Sequence, residues 1–173
     1  NSYIDIITGS QNHLGYWTDE DLVGYGDIQY TSRKLMAGYE YLDAMGIRLK
    51  TGRFFEPESS TDRNESLVVN EAFLNALEIE DPIGTRILVD STAHYIIGVA
   101  EDFHYMHFGH EIKPLYFKIA DETNFSNIIF RTLPGEAGNA EKYARSTWKK
   151  LYPDNTYEGY FQNAAFDQHY REN

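Results

Sequence analysis

The hydrophobic and polar positions of this chain divide it into short strands and a few helices. Tyr3 to Thr8 alternates with β-branched residues and predicts a strand. Gly9 to Gly26 is rich in Gly, Asn, Asp and Trp and predicts an irregular loop, followed by a second strand over Asp27–Lys34. Tyr39–Met45 predicts a short helix, with Gly46 where a left-handed C-terminal cap belongs. Gly52-Arg53 marks a turn, and Glu56–Glu65, polar and carrying Pro57, predicts a surface loop. Ser66–Val69 predicts a buried strand. Asn70 is placed to cap the next helix, because its side-chain oxygen can accept an orphan backbone N–H, and Glu71 suits the positive end of the helix dipole.

Phe73, Leu74 and Leu77 give that helix, Glu71–Leu77, an apolar face. Asp81-Pro82-Ile83-Gly84 is a turn signal, since Pro presets φ and Gly tolerates positive φ. Arg86–Val89 and His94–Val99 predict a hairpin around Asp90-Ser91-Thr92-Ala93. Further strands are predicted over Pro114–Ile119 and Asn127–Arg131. A long helix is predicted over Glu136–Tyr152, with Ala137, Ala140, Ala144, Trp148 and Leu151 on one stripe and Pro153 ending it. Thr156–Phe161 predicts a last strand, and Phe166–Arg171 the start of another helix. The fold class this order points to is α+β.

Composition narrows the function classes. With 173 residues and 42% hydrophobic positions, the chain suffices for one domain or two small subdomains with a buried core. The formal net charge of −12 and the scattered Lys and Arg leave no basic footprint, so no nucleic-acid partner is expected. The absence of cysteine excludes disulfides, thiolate catalysis and cysteine-ligated metal centres. No apolar run is long enough to span a bilayer. The chain opens at Asn1-Ser2-Tyr3 without Met, and the expectation is an excised piece of a longer protein.

Candidate chemistry is sparse. His104, His107 and His110 recur every third residue beside Asp102, a spacing able to hold Zn²⁺ or Cu²⁺ on a helix. The interleaved Phe103, Met106 and Phe108, with Gly109, favour a loop with locally bonded or solvent-facing histidines instead. Glu56, Glu58 and Asp62 lack the ligand order of a Ca²⁺ loop and are expected to be solvated, as is Asp19-Glu20-Asp21. Ser66, His94 and Asp102 form a triad only on paper, without a nucleophile elbow. No phosphate-cradling Gly-x-x-x-x-Gly-Lys occurs, and nothing singles out a carboxylate pair for glycoside hydrolysis. The Asn-x-Ser sequons at Asn64 and Asn124 are expected to be chance. The residue reading therefore assigns no catalytic, cofactor-binding or metal site.

A set of ordered segments carries a resemblance. It comprises Tyr41–Ile47, Leu49–Phe55, Val68–Phe73, Asp81–Ile87 and Tyr95–Val99, then Asp102-Phe103-His104 with Ile112–Leu115, then Tyr157–Phe161, Phe166-Asp167 and Tyr170. Together, over Tyr39 to Asn173, they resemble the extracytoplasmic, periplasmic core domain of MacB/FtsX-type ABC transporter permeases, in the version common in Bacteroidetes-like permeases. The resemblance implies a domain inserted between the first and second transmembrane helices, with both chain ends returning to one membrane-facing side. It implies a Porter-like β-α-β lobe formed by residues 1–54 and 121–173, membrane-proximal, and an inserted mixed α/β lobe, residues 55–120, membrane-distal.

The function it implies is non-enzymatic. The domain would sit on the periplasmic side of the inner membrane and relay ATP-driven conformational change to a periplasmic partner or substrate. The implied partners are a second permease copy, a cytoplasmic ATPase and a periplasmic adaptor or exported substrate. Two other classes stay open: a free-standing periplasmic ligand-binding domain, and a hydrolase with an unrecognised carboxylate site.

Overall fold

The hairpin of β2 (Glu20–Tyr25) and β3 (Ile28–Ala37) organises the larger part of the chain, with Gly26 at its tip in the left-handed region at φ 57°. The computed structural model describes residues 3–11, 19–104 and 111–161. In chain order the elements are β1 (Ile4–Ser10), β2, β3, α1 (Tyr41–Met45), β4 (Leu49–Gly52), α2 (Ser60–Asn64), β5 (Ser66–Asn70) and α3 (Glu71–Leu77). After these come β6 (Arg86–Val89), β7 (Thr92–Ala100), β8 (Leu115–Ile119), a 3₁₀ turn (Glu122–Asn124), β9 (Asn127–Thr132) and α4 (Ala137–Leu151). The fold is sheet-rich and mixed α/β, with few helices. The chain divides into two compact units, Asn1–Ile7 with Phe130–Asn173, and Thr8–Ile129.

In the larger unit, six strands close on themselves. β2 pairs antiparallel with both β3 and β6; β6 pairs antiparallel with β7; β7 runs parallel to β5; β5 is antiparallel to β8; and β8 is parallel to β3. The ring β3-β2-β6-β7-β5-β8 is a small barrel, which removes the unpaired edges an open sheet would present. β4 adds to β7 outside the ring, and Ser10 at the end of β1 pairs with Ala37. The sheet runs across 54/55, the first boundary expected for an inserted lobe. β2, β3 and β4 lie on one side of that boundary, and β5 to β8, with which they pair, lie on the other.

Strand alternation separates two cores. Val23, Leu67, Val69, Ile87, Val89, Ile96, Val99 and Tyr116 face one way and pack with Phe73, Leu77 and Ile79. Leu35, Ala37, Val68, Ala100, Leu115, Phe117 and Ile119 face the other way and pack with Tyr41, Leu42 and Phe55. α3 packs against β3, β5 and β8, and its Phe73 meets the Tyr116 ring edge-on at 6.5 Å between centroids.

Local chemistry at several expected positions is realised. Asn70 caps α3, its Oδ1 accepting from the Phe73 amide at 3.0 Å. The same oxygen accepts from the Leu115 amide at 2.9 Å, so the cap also ties α3 to β8. Gly46 closes α1 in the left-handed region (φ 68°), and Gly84 turns before β6 at φ 82°. β6 and β7 form a tight hairpin whose tip, Asp90-Ser91, has φ of 45° and 71°.

Three sequence expectations are corrected. The region from Gly9 to Gly26, expected to be irregular, contains β2: its charged and Gly-rich residues pair with β3 and β6 in a ring that composition does not show. The loop Glu56–Glu65 contains the single helical turn α2. Thr156–Phe161 forms no strand. Its Tyr157 instead turns back onto α4, 6.4 Å from the Trp148 ring and 4.6 Å beneath the Arg145 guanidinium. Ser2, part of Gly9–Gly26 and Phe166–Arg171 lie outside the described residues.

Candidate functional site: polar groups inside the barrel

The residues richest in chemistry converge where the barrel interior changes from apolar to polar. β8 points Tyr116 inward among the apolar residues of β5 and β7, and Lys118 two residues on points the same way. β3 places Lys34 beside Tyr116, and β2 brings Asp21 next to them. Lys34 Nζ lies 2.9 Å from Asp21 Oδ2, and the Tyr116 hydroxyl donates to the same carboxylate. From β7, His94, 3% exposed, completes the group: Lys118 Nζ lies 2.8 Å from its Nε2, and its Nδ1 lies 3.1 Å from the Thr92 carbonyl.

A carbonyl can only accept, so Nδ1 carries the proton and Nε2 is the acceptor for the Lys118 ammonium. Burial depresses His94 below the ordinary histidine range, and the Lys118 charge adds to this, against the opposing pull of Thr92 and Glu65. Burial likewise lowers Lys118, helped by Lys34 and opposed by Asp21. Burial alone would raise Asp21, but hydrogen bonds from Tyr116 and Lys34 bring it below the usual carboxylate value. Tyr116 is driven up by burial and by Asp21. Each acceptor here has a donor, so the group bonds β2, β3, β7 and β8 to one another.

Two further clusters join distant segments. The Arg53 guanidinium makes a two-pronged contact with Asp62, at 2.6 and 2.9 Å, and Asp62 also accepts from the Glu56 amide at 2.9 Å and from Ser66 Oγ at 3.2 Å. Burial would raise Asp62, but these bonds and the Arg53 charge bring it down to about 2. At the start of α3, Glu71 binds Lys50 and accepts from the Asp102 amide at 3.3 Å, while Asp102 accepts from the Ala72 amide at 3.0 Å.

The sequence-proposed sets are dispersed among these clusters. Ser66 serves Asp62, His94 serves Lys118, and Asp102 serves α3, so the paper triad is not assembled. Asp62 is not solvated: it is fully buried. Asp21 likewise leaves the expected solvated run for the barrel interior, while Glu20 lies 3.5 Å from Arg33. His104 is exposed in a segment without regular structure, and His107 and His110 lie outside the described residues. Among the described residues, no three His, Asp or Glu side chains are grouped to hold a metal. Also among them, no helix is long and apolar enough to cross a membrane.

No family model matches the chain. In sequence, 103 residues, 58% of the chain, are 27% identical to the macrolide export ATP-binding/permease protein MacB of Aggregatibacter actinomycetemcomitans. The matched stretch spans 15% of that relative's length. In structure, the chain is similar to the periplasmic region of MacB from Actinobacillus actinomycetemcomitans. The TM-score is 0.64 at 19% identity, covering 87% of this chain and 69% of the other. The fold is that of a MacB-type periplasmic domain. The MacB-type fold recurs in the extracellular domain of the noncanonic ABC-type transporter YknZ from Gram-positive bacteria, with a TM-score of 0.63 at 12% identity over 88% of this chain and 78% of that one. A domain of a proposed permease from Porphyromonas gingivalis gives 0.59 at 17% identity, over 94% and 82%. The resemblance read from Tyr39 onward thus has counterparts in both sequence and fold.

Proposed function

We propose that the chain is the non-enzymatic extracytoplasmic domain of an ABC transporter permease, which relays ATP-driven conformational change to a periplasmic partner or substrate. The observation that supports this reading is the MacB-type fold over nearly the whole chain, joined to a sequence match with a protein named as an export ATP-binding/permease protein. The polar groups inside the barrel and the Arg53–Asp62 pair are bonded within the domain, as expected of a scaffold whose task is mechanical. In this reading the domain belongs on the periplasmic side of the inner membrane. A second permease copy and a cytoplasmic ATPase are its partners, reached through membrane segments.

The test uses the parent protein in its native membrane. Tagged parent is expected to co-purify with an ATPase and with a second copy of itself. Cysteines placed at Ser91 should label from the periplasm and change their labelling rate when ATP hydrolysis is blocked by vanadate. A parent found free in the periplasm, without ATPase and without response to vanadate, would favour the ligand-binding alternative.

A further inference from the structure

The barrel interior holds a contact between two bases. His94 on β7 and Lys118 on β8 meet at 2.8 Å, across the beginning of β5, which starts at Ser66. Leu67 on β5 pairs with Ile96 on β7, and Val68 pairs with Phe117 on β8, so the His94–Lys118 bridge lies at the level where the β5 ladder begins. Nδ1–H is committed to the Thr92 carbonyl, which leaves Nε2 as the nitrogen that accepts a proton. That nitrogen already accepts from Lys118. A proton there removes the acceptor and sets an imidazolium against an ammonium in a site where His94 is 3% exposed.

We propose that the His94–Lys118 contact is an acid-sensitive latch: protonation of the imidazole breaks it and loosens the end of the barrel where β7, β5 and β8 begin their pairing. Glu65, just before β5, favours the imidazolium; Lys34 on β3 opposes charge on Lys118, and Asp21 on β2 favours it. Lys34 and Asp21 neutralise each other at 2.9 Å, Tyr116 on β8 stays a neutral donor, and β6 presents Ile87 directly opposite His94. Among the described residues, Glu65 is the carboxylate that acts on His94 itself, while Asp90 and Asp19 act on Tyr116.

The direction of the pH effect follows from the depressed histidine. The unfolded or opened chain binds the proton more readily, so closure is complete above the ordinary histidine value of 6.5 and weakens as pH falls below it toward the folded value.

The experiment is amide hydrogen exchange between pH 7.5 and 5, corrected for intrinsic rates, with a ¹³C-resolved NMR titration of the imidazoles. The Tyr95 amide, which donates to the Glu65 carbonyl at 2.7 Å, is the reporter. Its protection should fall on acidification, with a limit of about tenfold for each pH unit by which His94 is depressed. His94→Gln offers an amide N–H to Thr92 and an oxygen to Lys118 without a titrating proton, and should hold Tyr95 protection flat. In Lys118→Met, His94 should titrate higher than in the wild type. Flat protection in the wild type, equal acid sensitivity in H94Q, or an unmoved titration in K118M would each overturn the latch. K118M keeps the test decisive if H94Q does not fold.

Discussion

Replacing Asp62 by Ala tests whether a carboxylate in an apparently polar loop holds part of the larger unit together. Asp62 is fully buried and receives Arg53, the Glu56 amide and Ser66 Oγ. A carboxyl brought from 3.8 to about 2 carries about 2 kcal/mol of stability at neutral pH. Truncation removes that and leaves the Ser66 hydroxyl, itself 3% exposed, with only the Thr61 carbonyl at 3.5 Å to donate to, at a cost of about 1 kcal/mol. Arg53, 41% exposed, can hydrate and adds little. The sum is about 3 kcal/mol, and the urea midpoint read by far-UV circular dichroism should fall by about 1–3 M. The sign with pH is fixed. The folded carboxyl lies below its unfolded value, so its contribution is present above 3.8 and is lost as pH falls through about 2. The stability gap between wild type and Asp62→Asn should therefore close between about pH 5 and pH 2. A midpoint unchanged in Asp62→Ala, or a gap that does not depend on pH, would refute the reasoning.

Three other outcomes are expected. Tyr116→Phe removes a donor to Asp21 and should cost about 1–2 kcal/mol in urea unfolding while raising the Asp21 carboxyl in an NMR titration. Gly98→Ala should destabilise far more than Gly84→Ala: a Cβ at Gly98 meets the Arg53 carbonyl oxygen at 2.2 Å and costs about 3 kcal/mol, whereas at Gly84 it meets open space and costs about 1 kcal/mol for positive φ alone. Zn²⁺ should leave the melting temperature unchanged; a specific site at a hundredfold its Kd would add about 2.7 kcal/mol, and a shift abolished by His104→Ala would contradict the loop reading.

Positions legible in the sequence were those where one residue decides its own backbone. Asn70 as a cap and Gly46 and Gly84 at positive φ follow from side-chain chemistry acting over three or four residues. Long-range pairing was not legible. β2 reads as a loop because Gly24 and Gly26 weaken its pattern, and only its two neighbours in the ring make it a strand. Asp21 and Asp62 look solvated in an acidic chain; their burial depends on Tyr116, far along the sequence, and on Arg53, whose proximity no spacing rule predicts. The His94–Lys118 contact has no sequence signal at all, since β5 separates the two strands that supply it. The strands from β5 to β8 are each legible in the sequence, but their closure into a ring is not.

That closure bears on the order in which the chain acquires structure. The ring cannot form from neighbouring segments: Val23 must find Val89, and Arg33 must find Leu115. Hairpins such as β6–β7 can assemble early, but the two seams that close the barrel join residues far apart in the chain, so loop-closure entropy opposes them until late. During synthesis, β3 therefore waits with an open side until β8 has emerged. Over that interval the β2–β3 hairpin, with Leu22 and Tyr30 on its surface, is the segment most in need of protection from wrong pairing.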